Sequence, residues 1–271
     1  MNSIMRASAA ALCAAALALP AVAAAQGSDQ WQFGAQIYGY FPSLSGTSNF
    51  PARGGTPTVN VNVDGFLDNL DFAFMGSLEA RRGRWGAFTD VLYLDVGSNK
   101  SGSRDITIGG SEIPAGASAS VNYNFKGLIW TFAGEYALMS TPTATMDVLF
   151  GGRMADLEQD IDWGIDGNIG GIPTGGRTGT SNVSRTQWDA IVGVKGRWYF
   201  SPDRNWFVPY YADIGAGDSN LTWQVLGGVG YSWKSVEVVG AWRYLKYDLG
   251  SGRPFEDLSL SGPSLSVGFR W

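Results

Sequence analysis

The chain has 271 residues, among them 38 glycines, 11 tryptophans, 11 tyrosines, 14 phenylalanines, one cysteine and no histidine, with 16% charged residues and a net charge of −5. The acidic balance argues against nucleic-acid binding. The missing histidine removes imidazole bases and imidazole metal ligands, and the single Cys13 leaves the rest of the chain without disulfides or thiolate chemistry.

Chain order begins with an export pattern. Arg6 precedes an apolar stretch from Ala9 to Leu19, and Ala23-Ala24-Ala25 offers a small-residue cleavage site before Gln26. The spacing predicts a signal peptide over 1–25, since the apolar core is shorter than the roughly 20 residues a spanning helix needs. Leu12 before Cys13 speaks against lipid attachment there. Residues 26–271 then carry 18 basic and 24 acidic residues and no apolar run long enough to span as a helix. An exported, cysteine-free, strand-forming chain that meets a membrane must cross it as a closed barrel.

Alternation of period two predicts ten strands, near 31–41, 72–82, 84–97, 120–137, 143–157, 185–199, 206–217, 220–232, 235–248 and 258–271. In the first, Trp31, Phe33, Ala35, Ile37, Gly39 and Phe41 share one face and Gln32, Gly34, Gln36 and Tyr38 the other. In the sixth, Trp188, Ala190, Val192, Val194 and Trp198 oppose Asp189, Gly193, Lys195, Arg197 and Tyr199. Trp and Tyr recur near strand ends, as interfacial girdles require. Joints alternate in length: "RGR" at 82–84, "MSTPT" at 139–143, "SPDRN" at 201–205 and "WKS" at 233–235 are short, whereas 42–71, 98–119 and 158–184 are long. Short turns on one side and long loops on the other are the asymmetry of an outer-membrane barrel.

Within the long joints, "DGFLDNL" at 64–70 predicts one helical turn. "DLEQDIDWGIDGN" at 156–168 offers Asp160, Asp162, Asp166 and Asn168 as oxygen ligands for calcium, but the spacing misses that of a calcium-binding EF-hand loop, so a solvated loop face is expected and no metal or cofactor is assigned.

The last strand, "SLSVGFRW", sets Leu265, Val267, Phe269 and Trp271 against Ser264, Ser266, Gly268 and Arg270. A barrel has no free edge only if its last strand pairs with its first, so 258–271 is expected to zip against 31–41. With "WQVLGGVGYSWKSVEVVGAWRYLKYD" before it, this terminal pattern resembles the small outer-membrane β-barrel proteins of Gram-negative bacteria, the opacity-like and OmpA-membrane-domain-like group. That resemblance implies that Phe269 and Trp271 form the signal read by the barrel-assembly machinery, and that lipid and lipopolysaccharide surround the chain. It departs in strand number: many relatives have eight, and here ten are counted, with eight or twelve as alternatives.

The fold expected is therefore all-β, one antiparallel transmembrane barrel over 26–271. The face opposite the apolar one places Glu79, Asp90, Glu135, Asp147, Asp189, Asp213 and Glu237 in the lumen with Arg153, Lys195, Arg197, Arg243 and Arg270. Asp90 and Asp95 fall on opposite faces of one strand, so one of them belongs above the membrane or beside a bulge. Ten strands tilted near 40° give a backbone radius of roughly 10 Å, which excludes a wide channel. In so narrow a section Lys195 and Arg197 are expected to meet acids on neighbouring strands such as Asp147 and Asp213. The function expected is a structural barrel or a narrow pore for ions or small solutes, with surface recognition through the long loops as the alternative and no enzymatic activity.

Overall fold

The computed structural model describes residues 30–48, 58–61, 70–101, 107–108, 111–112, 117–169, 172–250 and 255–271. The signal segment 1–25 and residues 64–69 of the expected helical turn lie outside the described residues. Ten antiparallel strands form the barrel: β1 (Gln32–Tyr40), β2 (Leu70–Arg82), β3 (Trp85–Ser101), β4 (Ala117–Ser140), β5 (Ala144–Ile169), β6 (Ile172–Tyr199), β7 (Trp206–Gly217), β8 (Leu221–Trp233), β9 (Val236–Asp248) and β10 (Phe255–Arg270). Each pairs with its neighbour in sequence, and β1 pairs with β10 from Gly34 opposite Arg270 to Tyr40 opposite Ser264. Phe33 N–H donates to the Trp271 carbonyl at 2.9 Å and Trp271 N–H to the Phe33 carbonyl at 3.1 Å, so pairing runs to the last residue.

The exterior is apolar and the interior polar, the inverse of a soluble sandwich. Ile37, Leu78, Trp85, Ile214, Trp242, Leu265 and Trp271 are each more than half exposed, while Glu135, Arg153 and Gln187 are fully buried. So large an apolar surface is the signature of a lipid-facing wall. Two aromatic belts bound it. Trp31, Trp85, Trp198, Trp206, Trp233 and Trp271 cluster at the end with the short turns, and Trp130, Trp188, Trp223 and Trp242 lie further along the strands. Phe33 stacks on Trp271 at 5.9 Å across the closing seam.

The short joints are tight turns at one end. Gly83 adopts φ +62° between β2 and β3, a conformation that explains the glycine of "RGR". At the other end the structure corrects the expected loops. Much of 98–119 and 158–184 is strand: β5 and β6 stay in register from Ala144 opposite Trp198 to Ile169 opposite Ile172, with one irregularity between Thr174 and Arg177. β3 and β4 pair out to Ser101 opposite Ser120. Beyond the second belt neither face needs to be apolar, so the period-two signal vanishes while the backbone ladder continues. From Trp188 to Ile172 lie 16 residues, roughly 50 Å of strand, where about ten residues suffice to cross a bilayer. Part of joint 42–71 is likewise ordered: Ser43–Ser48 pairs with the outer half of β10, and Thr58–Val61 pairs with Ser43–Ser48.

The depth of a residue in the apolar band sets the cost of charging it. Leu265, between the belts, and Phe269, in the turn-side belt, both face outward on β10. Leu265→Arg is expected to cost about 2–4 kcal/mol and Phe269→Arg about 0–1. Heat-modifiable mobility and urea midpoints of the folded protein check the order; equal losses at the two positions overturn the assigned depth.

Candidate functional site

The lumen is where the sequence placed chemistry, and all the expected residues reach it. Glu79, Glu135, Asp147, Arg153, Asp189, Lys195, Arg197, Asp213, Glu237, Arg243 and Arg270 lie on the inward faces of β2, β4, β5, β6, β7, β9 and β10, together with Asp90 on β3. The parity ambiguity in β3 resolves on burial. Asp90 is buried inside, whereas Asp95 is on the outer face and meets Lys126, its cross-strand neighbour, at 3.8 Å.

Arg81 is the residue that sequence reading missed. It sits two positions after Glu79 on β2, hence on the same face, next to the "RGR" turn. In the structure it is the hub of the turn-side tier. Its guanidinium donates to Asp147 at 2.8 and 2.6 Å and to Glu135 at 2.9 Å, with Glu79 at 3.4 Å. Lys195 bridges Glu79, at 2.8 Å, and Glu135, and its ammonium lies 4.6 Å from the centre of the Phe88 ring. Arg197 forms a two-pronged pair with Glu237 at 2.6 and 2.7 Å, and Arg270 adds a contact to Glu237 at 3.3 Å. The Arg197 guanidinium lies over the Phe207 ring, 4.3 Å from its centre. That ring occupies the space a side chain at Gly230 would need, since a Cβ there would stand 2.3 Å from it.

The expected pairing of Lys195 and Arg197 with Asp147 and Asp213 on adjacent strands is overturned. Arg81 reaches from β2 to β5, Lys195 from β6 to β2 and β4, and Arg197 from β6 to β9. The cause is curvature: inward side chains converge on an axis roughly 10 Å from the wall, so long cations reach carboxylates across the lumen, and Asp147 and Asp213 beside β6 are taken by Arg81 and Arg153.

A middle tier holds two further pairs. Arg243 donates to Asp90 at 2.9 Å, to the Tyr38 hydroxyl at 2.7 Å and to Gln224 at 2.9 Å. Arg153, fully buried, pairs with Asp213 and donates to Thr131 at 3.1 Å and Thr222 at 3.2 Å. Toward the outer end the inward face turns apolar, a change the sequence reading did not anticipate. Tyr40, Met75, Leu92, Leu94, Phe125, Ile129, Ala155, Leu157, Leu245, Tyr247, Leu249, Leu258 and Leu260 form one buried cluster. Below it a cavity of about 660 Å³ reaches the turn end, lined among others by Gln36, Glu79, Arg81, Lys195, Arg197 and Arg270. The lumen is thus a polar vestibule closed by an apolar layer.

The acidic run 156–168 lies on β5 and not in a loop, so its carboxylates are spread by the strand repeat instead of gathered. Asp156 accepts from Thr186 at 2.8 Å, and Asp156, Glu158, Asp160 and Asp162 alternate along the outward side. No group of three or more acidic, His or Cys side chains among the described residues is placed to hold a metal. The side chains of Asp166 and Asn168 lie outside the described residues.

Compared by sequence, the chain matches no family model and no curated protein. Compared by structure, it is similar to the outer membrane protease OmpT from Escherichia coli, at 8% identity over 91% of this chain and 98% of that one, with a TM-score of 0.51. It also aligns with the translocator domain of the autotransporter NalP from Neisseria meningitidis (13% identity, 100% and 96% coverage, TM-score 0.42) and with the attachment invasion locus protein Ail of Yersinia pestis (10%, 91% and 100%, TM-score 0.36). At these identities the likeness is one of fold: the chain has the closed antiparallel architecture of outer-membrane β-barrels.

The hub geometry makes the cations unequal. Asp147 has no ion-pair partner among the described residues other than Arg81, whereas Glu237 keeps Arg270 when Arg197 is lost. Arg81→Met is therefore expected to lower stability by about 3–5 kcal/mol, the cost of stranding a buried charge. Arg197→Met is expected to cost under about 2 kcal/mol, since one partner remains in a half-exposed position. Denaturant unfolding in detergent micelles measures both; a larger loss for Arg197→Met contradicts the hub.

Proposed function

We propose that this chain is an outer-membrane barrel of Gram-negative type whose lumen does not conduct and whose function is surface recognition by the strand extension it carries. The observation that supports this reading is the buried apolar cluster of Tyr40, Leu92, Ile129, Leu157, Leu245 and Leu260 across the outer half of the lumen. An ion entering the vestibule would have to shed its water to pass such a layer, and hydrophobic constrictions of this kind block conduction by dewetting. What remains for function is the tall sheet formed by the outer parts of β3, β4, β5 and β6. Scaffolds with rigid walls and exposed ends host binding there.

In this reading an export signal over 1–25 delivers the N-terminus to the periplasm, the short turns face the periplasm, and the extension faces outward. Lipid and lipopolysaccharide surround the apolar band, and the barrel-assembly machinery reads Phe269 and Trp271. A narrow pore, the role first expected from the sequence, draws support only from the cavity at the turn end, and that cavity stops below the apolar layer. Without histidine the chain has no imidazole base for hydrolysis.

Two measurements test this together. Refolded protein in planar bilayers is expected to show no stable open steps in 1 M KCl, while an epitope inserted between Ile169 and Ile172 is reached by antibody on intact cells and one within 202–204 is not. Ion-selective steps restore the pore reading, and labelling at 202–204 on intact cells inverts the orientation.

A further inference from the structure

The lumen ion pairs leave one buried carboxylate out. Six cations, Arg81, Arg153, Lys195, Arg197, Arg243 and Arg270, pair with six acids, Glu79, Asp90, Glu135, Asp147, Asp213 and Glu237. Asp189 belongs to none of the ion pairs among the described residues, yet it is only 3% exposed. Its cross-strand neighbour is Arg153, but that guanidinium is spent on Asp213, Thr131 and Thr222. Arg185, on the same face of β6 four positions further out, is not within ion-pair distance either.

The surroundings of Asp189 share the deficit. One carboxylate oxygen, Oδ1, accepts from the Ser219 backbone N–H at 2.9 Å and so pins the turn between β7 and β8 onto β6. The other, Oδ2, has no hydrogen-bond partner. Gln187, two positions along the same inward face and fully buried, has neither its amide oxygen nor its amide nitrogen satisfied, and the Ser219 hydroxyl, on a residue only 3% exposed, is also without a partner. Buried polar atoms left unpaired in a native fold call for an explanation, and a bound water or ion is one. A buried carboxylate outside every ion pair is more costly than a neutral orphan, and a cation beside Oδ2 would offset that cost.

We propose that Asp189, Gln187 and Ser219 form a binding site for a monovalent inorganic cation, sodium or potassium, enclosed between β6 and the β7–β8 turn. The donors point to this class. They are a carboxylate, an amide oxygen and a hydroxyl, the hard oxygen ligands that alkali and alkaline-earth ions take and soft metals do not. The local charge chooses the valence: Arg153, Asp213 and Asp189 sum to −1, which a single positive charge neutralises and a divalent ion overshoots. The site couples to the fold through Ser219, because the ion would hold the same turn that Asp189 Oδ1 holds from the other side.

The test uses the full-length barrel refolded in detergent. At constant ionic strength, replacing choline chloride by sodium or potassium chloride at tenfold excess over Kd is expected to raise the unfolding midpoint by about 3–6 °C. Asp189→Asn and Gln187→Leu are expected to abolish that dependence on cation identity, whereas Asp95→Asn, on the outer wall, leaves it intact. Should the lumen variants fail to fold, crystals of the wild-type protein grown in rubidium chloride decide, through an anomalous peak against Asp189. A midpoint indifferent to the cation, a response to calcium or magnesium alone, or a rubidium map with only water beside Asp189 overturns the proposal.

Discussion

The paired backbone hydrogen bonds between Phe33 and Trp271 close the sheet, and the remaining architecture depends on that closure. A bilayer offers no water to an unpaired N–H or C=O, so a sheet can cross it only without edges. Closing at ten strands sets a radius of roughly 10 Å, and the radius decides what the interior can be. It is too narrow for a wide channel and narrow enough that an arginine on one wall meets a carboxylate on the other. Arg81 reaching Asp147 and Lys195 reaching Glu79 are consequences of that dimension.

The interior is divided along its axis. Near the turns the inward residues are charged and line a cavity. At mid-height Arg243 and Arg153 bind their acids with tyrosine, threonine and glutamine supplying the remaining hydrogen bonds. Above them the same inward parity delivers leucine, isoleucine and phenylalanine. Burying an ion pair roughly balances desolvation against attraction, so the charged tiers bind the walls to each other without adding much net stability. The apolar tier contributes by burial, as an ordinary core does, and it is the part that separates the two ends of the lumen.

Outside the apolar band the constraint relaxes. β5 and β6 run far past the second belt as a paired ribbon, and Asp156, Asp160, Asn182 and Thr186 stand there in place of lipid-facing residues. The ladder persists because each strand's backbone groups still find partners across the hairpin, with no help from side-chain burial.

What the sequence determined by itself is what period two and polarity can encode. Ten strands, their order, the closing of 258–271 on 31–41, the lipid-facing row of Leu265, Val267, Phe269 and Trp271, and the inward parity of the expected lumen charges other than Asp90 all follow from a local alternation between water-avoiding and water-seeking side chains. Three matters lay beyond it. The partners of Lys195 and Arg197 depended on curvature, which brings together residues far apart in sequence. The role of Arg81 was hidden because its partners, Asp147 and Glu135, lie on other strands far away in sequence. The strands within 158–184 were invisible because, outside the membrane, backbone pairing leaves no mark on side-chain polarity. Side-chain patterns record which solvent a residue meets, and only the closed tertiary structure decides which residue it meets across the lumen.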